Sequence, residues 1–171
     1  MKTIKFRLNT ESISSAISDL EAYKREFKAK CQLLMQKLVD TGADIAKIRV
    51  VQLGAVYSGN LMSSINGYYS PTLNVGFIRV NAEYGIFVEF GTGVKGSNSS
   101  HPDGEYLAET AYNYMGGTTY VTLPDGRVGW YYPADDGTWK FTEGQESRPF
   151  LWETAQELSA KFNDIVHEVF G

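Results

Sequence analysis

Between Ile13 and Ile48 large apolar residues return at steps of three, four or seven: Ile13, Ile17, Leu20, Phe27, Cys31, Leu34, Leu38, Ile45 and Ile48. Heptad spacing of this kind gathers side chains on one side of a helix. It predicts a helix from about Ser12 to Leu53, with Asn9, Thr10 and Ser12 as candidate caps. Unbroken, that helix is about 63 Å long at roughly 1.5 Å per residue. A compact domain of 171 residues is only about 40 Å across. Either the helix breaks near Asp40-Thr41-Gly42, with Gly42 as a left-handed cap, or one end reaches a neighbour. The stripe itself suits two roles, the inward face of an ordinary surface helix or a seam against another subunit.

Around this helix the pattern is mainly β. Residues 2–8 alternate Ile4, Phe6 and Leu8 with Lys5 and Arg7, as a half-buried strand does. Residues 54–70 read as a loop and a short strand, 73–81 as a strand, and 84–90 as a further β run ending at Gly91. Residues 93–104 have loop composition, and 105–115 form a candidate short helix. Three β segments follow, 120–123, 128–132 and 138–141, separated by the turn formers Pro124-Asp125-Gly126 and Asp135-Asp136-Gly137. Leu151, Ala155, Leu158, Phe162, Ile165 and Val169 then mark a C-terminal helix, widened by Val166 and Phe170, with Pro149 near its start and Gly171 after its end. The expected fold is α+β: a twisted, mostly antiparallel sheet with the long N-terminal helix and the C-terminal helix packed on it. At this length one domain, 1–171, is expected, carrying a variable loop and β-meander insert at about 94–146.

Chemistry-bearing residues are sparse. Cys31 falls on the apolar side of the first helix, as a small hydrophobe does. His101 lies in the loop segment and His167 on the last helix, so surface or helix-end roles are expected of both. No Cys or His pair has metal spacing, and neither a phosphate-binding Gly-x-x-x-x-Gly-Lys loop nor a hydrolase Gly-x-Ser-x-Gly elbow occurs. Turn chemistry accounts for Asp135 and Asp136 without calcium. The expectation is a protein that is not an enzyme and needs no cofactor or metal. No apolar run is long enough to span a bilayer, and the first residues lack the apolar core of a signal peptide, so a cytoplasmic setting without membrane is expected. Charge is uneven: residues 1–53 carry +4 and residues 83–146 carry −7 within a total of −4. An acidic chain without a dense basic cluster is a poor ligand for nucleic acid, whereas oppositely charged regions suit protein partners, including further copies. The aromatic residues of 106–152 suit core packing, a protein interface or a sugar-binding platform.

Three segments, in order, resemble a known family. Tyr57-Ser58-Gly59-Asn60-Leu61-Met62-Ser63-Ser64-Ile65 is similar to a (T/S)GNL-x-x-SI segment of the siphophage head-tail joining, or tail-completion (neck), family, whose members include the minor tail protein Z type. Ala82-Glu83-Tyr84-Gly85-Ile86-Phe87-Val88-Glu89-Phe90-Gly91-Thr92 is similar to its YA-x-YVEFGT stretch, with Gly85 at a variable position. Ser147-Arg148-Pro149-Phe150-Leu151-Trp152-Glu153-Thr154-Ala155 resembles its ARPFL-x-PA opening of the C-terminal helix, with Glu153-Thr154 in place of the Pro. The likeness spans residues 12–170 apart from the insert. It implies a bacteriophage virion structural protein at the head-tail junction, made in the host cytoplasm, which completes the tail or joins it to the head. Its partners would be copies of itself and connector, tail-terminator or tail-tube proteins. A tail terminator capping the tube is the nearest alternative, and a glycan-binding module is the alternative from another class. The residues carried over as structural or interface positions are Gly59, Asn60, Leu61, Ile65, Tyr84, Val88, Glu89, Phe90, Gly91, Thr92, Arg148, Pro149, Phe150 and Leu151. Glu89 and Arg148, the two charged members, are expected either to pair or to be solvated separately.

Overall fold

The computed structural model of the chain describes residues 3–56, 59–99, 101–103, 112–113 and 119–171. Helix α1 runs unbroken over Thr10–Gln52. Asn9 caps it, its side-chain oxygen accepting the Ser12 amide at 2.8 Å, while the Ser12 hydroxyl accepts the Arg7 amide. A short helix α2 (Asn60–Ser63) leads into the antiparallel hairpin β1 (Ile65–Ser70) and β2 (Val75–Val80), in register from Ile65 opposite Val80 to Ser70 opposite Val75. Short helices α3 (Gly85–Phe90) and α4 (Gly93–Asn98) follow. The meander β3 (Val121–Thr122), β4 (Val128–Pro133) and β5 (Trp139–Thr142) is antiparallel throughout. The two-residue β6 (Gly144–Gln145) bridges back to Thr92 and Gly93, and α5 (Phe150–Phe170) completes the chain. The fold is α+β, as expected, but its strands form two small sheets, β1-β2 and β3-β4-β5, rather than one.

The core lies where α1, α2, β1, α3 and the start of α5 meet: Ala43, Ala46, Val50, Leu61, Ile65, Val88 and Phe150. Phe150 and Ile65 are fully buried, and removing a Phe side chain from such a site costs about 3–5 kcal/mol. The inner face of α1 at this end is made of small residues, Gly42, Ala43 and Ala46 among them. Gly42 does not break the helix. A Cβ there would stand 2.5 Å from Ile78 Cδ1 and 3.1 Å from Leu158 Cδ2, so its lack of a side chain lets β2 and α5 reach α1 together. Gly67 serves the same end, for its Cβ would lie 2.5 Å from the Val39 carbonyl oxygen.

Helix α5 lies antiparallel along α1. Arg49 Nη2 meets Glu157 at 2.8 Å and Arg49 Nη1 meets Glu153 at 3.3 Å near its start. Lys37 pairs with Glu168 near its end, and Phe27 packs on Phe170 at 5.8 Å between ring centroids. The last helix follows its predicted bounds closely.

Four further expectations change. Residues 3–8 form no strand; Phe6 and Leu8 are exposed, and no described segment pairs with them. Residues 85–90 are helical, because the positions they bury, Gly85, Val88 and Glu89, follow a helical step, while Ile86 and Phe87 face out. Part of the predicted loop is helix α4. His101 is buried rather than on the surface. The candidate helix at 105–115 lies mostly outside the described residues, as do Tyr57 and Ser58. At the two predicted turns Asp125 accepts the Arg127 amide and Asp136 accepts the Thr138 amide. Side-chain hydrogen bonds, from Arg127 to Asp125 and from Thr138 to Asp136, hold both carboxyls below the usual carboxylate range.

Candidate functional site

Pro149 occupies the N-cap of α5 and has no side-chain oxygen with which to accept the first amides of the helix. The acceptor comes from another element. Glu89, at the end of α3, accepts the Leu151 amide at 2.8 Å on Oε2 and the Trp152 amide at 2.9 Å on Oε1. These are the second and third amides of α5, the ones an N-cap side chain ordinarily serves, and a carboxylate there also meets the positive end of the helix dipole.

The capping is reciprocal. Carbonyls at the end of α3 accept from the strand and turn that lead into α5: Phe87 from Gln145 Nε2 at 2.9 Å, Val88 from the Arg148 amide at 2.8 Å, and Glu89 from the Ser147 hydroxyl at 2.6 Å. Gly91 allows this close approach. Its φ of +78° lies in the left-handed region, and a Cβ there would sit 2.7 Å from the Ser147 amide nitrogen.

Glu89 is 4% exposed and His101, 5% exposed, shares its carboxylate, with Nε2 to Oε1 at 3.1 Å. The Asp103 amide donates to His101 Nδ1 at 3.0 Å, which assigns the ring proton to Nε2. Phe90 packs on the imidazole at 4.8 Å. Every oxygen and ring nitrogen of the Glu89–His101 pair is thus engaged, and the arrangement holds the first turn of α5 in place. Beside it opens a cleft of about 780 Å³, lined among others by Arg79, Glu83, Ile86, Glu89, His101 and Trp152.

The expected Glu89–Arg148 pair does not form, because the Glu89 oxygens are taken by the α5 amides and His101. Arg148 lines a different cleft with Tyr84, Val88 and Gln145. The other motif residues gather around the same junction. Gly59 caps α2, Asn60 begins it, and Leu61 and Ile65 enter the core with Val88 and Phe150. Thr92 bridges Gln145, and Leu151 packs against the core from the rim. In the departures from the family pattern, Glu153 joins Arg49 and the buried Thr154 donates to the Phe150 carbonyl at 2.6 Å. Sequence reasoning missed His101. The only signal for Glu89 as the cap was a Pro at the helix start with no Ser, Thr, Asp or Asn at the cap position. Among the described residues no cluster of His, Cys, Asp and Glu is arranged to hold a metal ion, and no helix is long and apolar enough to cross a membrane. Compared with protein-family models, with curated proteins and with solved structures, the chain gave no match.

Proposed function

We propose that this chain is a non-enzymatic structural protein of a long-tailed bacteriophage virion, which completes the tail or joins it to the head. One observation carries the reading beyond the resemblance of three short words. Segments 59–65, 82–92 and 147–155, far apart in sequence, interlock at one junction, where Glu89 of the second caps the helix opened by the third and Leu61 of the first packs with Val88 and Phe150. Residues that depend on one another in this way form one structural unit. The full engagement of Glu89 and His101 fits a scaffold better than a proton-transfer site. No cofactor or metal enters the proposal. The expected partners are further copies of the chain and connector, tail-terminator or tail-tube proteins.

Deleting the gene from the genome that encodes it and imaging the particles tests this. Filled heads beside detached tails of normal length are expected. Overlong tails would move the assignment to a terminator, and intact infectious particles would remove it from the virion pathway altogether. The glycan-binding reading draws on the exposed Trp139, Tyr131 and Tyr132. Unchanged Trp fluorescence across a glycan panel counts against it.

A further inference from the structure

Helix α5 ends beside Phe27, so Thr10–Glu26 of α1 runs on past it for about 25 Å at roughly 1.5 Å per residue. In this overhang every residue is exposed except Ser12 and Ala16, which are half-buried. Its apolar stripe, Ile13, Ile17, Leu20 and Tyr23, is 39–55% exposed. The stripe is continuous with the seam that α5 covers from Phe27 onward, so the same face is covered at one end of α1 and bare at the other.

Charge along the helix says what covers it. From Thr10 to Tyr23 the only charged residues are Glu11, Asp19 and Glu21, giving −3. From Lys24 to Lys30 there are Lys24, Arg25, Lys28 and Lys30 against Glu26, giving +3. Among the described residues none of Glu11, Asp19, Glu21, Lys24, Arg25 or Lys28 belongs to an ion pair. A helix that is acidic in its first half and basic in its second is complementary to itself when turned end for end. A parallel copy would instead place like charge beside like.

We propose that the overhang is a self-association surface, on which α1 of a second copy of this chain lies antiparallel about a two-fold axis near Leu20. Leu20 then meets its own counterpart, Ile13 approaches the partner copy's Phe27 region, and Glu11 of each copy comes beside Lys28 and Lys30 of the other, so that the −2 of Thr10–Asp19 faces the +2 of Glu21–Lys30. The partner's helix continues the cover that α5 provides, and the overhang gains the tertiary packing from which most helical stability in proteins comes.

The test uses the full chain with Cys31→Ser, so that introduced thiols are the only ones. Sedimentation up to about 100 μM is expected to show a monomer–dimer equilibrium in the micromolar range, abolished by Leu20→Asp. If Leu20→Asp alters the helical signal, charge variants decide. Lys24→Glu/Arg25→Glu/Lys28→Glu and Glu11→Lys/Asp19→Lys/Glu21→Lys are each expected to be monomeric alone and to dimerise when mixed. Orientation is read by mild oxidation. Position 20 lies at the axis, whereas position 13 lies about 21 Å from its own copy at 1.5 Å rise per residue. Leu20→Cys should therefore cross-link to itself at least about tenfold faster than Ile13→Cys, and Ile13→Cys should cross-link to Phe27→Cys. A monomer at every concentration, an assembly larger than a dimer, or equal self-linking of Ile13→Cys and Leu20→Cys overturns the proposal. None of these outcomes touches the deletion phenotype, so the two proposals fail separately.

Discussion

Glu89 holds two amides and an imidazole on two oxygens, and the rest of its junction depends on them. Hydrogen bonds to a buried charge are worth about 1.5–3 kcal/mol each, and losing a cap alone costs about 1 kcal/mol. Glu89→Ala leaves the Leu151 and Trp152 amides and His101 unserved together. Its expected cost is roughly 3 kcal/mol, a fall of roughly 6–12 °C in Tm, read by calorimetry. Arg148→Ala keeps its backbone bond to Val88 and loses only a side chain at a cleft edge. It should cost under about 1 kcal/mol. Equal losses in the two variants would restore the ion pair that the geometry replaces. Glu89 was singled out through the family resemblance, as a charged member of its second segment, but its partner was not legible. A charge attracts attention to the opposite charge, whereas the true partners are backbone amides, which every residue but proline carries and no pattern distinguishes.

At the scale of elements, α1 and α5 were legible because large apolar residues at heptad spacing fall on one side of a helix and on both sides of a strand. The hairpin was legible too, although its contact with α1 was not, since that contact is made by residues without side chains. Gly67 sits on the Val39 carbonyl and Gly42 on Ile78. Neither contact leaves a mark in a hydrophobicity pattern, and Gly42 reads equally well as a helix end. Gly67→Ala is expected to push the hairpin off α1 and to cost about 1–3 kcal/mol, an overpacking penalty against rigid backbone. Chemical denaturation checks it, and an unchanged midpoint would show that the sheet can slide. Residues 85–90 were misread for a related reason. Ile86, Phe87 and Val88 have β propensity, but tertiary packing decides: Gly85 lies against Val80 and Leu61, and Val88 and Glu89, one helical turn on, are buried with it.

The whole molecule is a body of two antiparallel helices and a hairpin, with a helical arm at one end and an acidic insert between α3 and α5. If the arm pairs copies through a two-fold axis, and if the chain serves the tail as proposed, that pair cannot persist inside a ring around a tail. A tail is polar along its length, and its rotation axis relates neighbours head to tail rather than face to face. The insert is attached differently. The chain leaves the body at Thr92-Gly93 and returns at Gly144-Gln145, and these four residues bridge each other as an antiparallel pair. That doorway keeps the two ends of the insert together whatever lies between them. Loop-closure entropy rises by only about 0.6 kcal/mol for each doubling of length. Replacing residues 121–142 by a short Gly-rich turn should therefore leave the cooperative unfolding of α1 and α5 in place, as followed by circular dichroism. A chain built this way is a socket with an exchangeable head. An experimenter can graft a tag or a binding loop onto its outer strands while the body of α1, the hairpin and α5 stays the same.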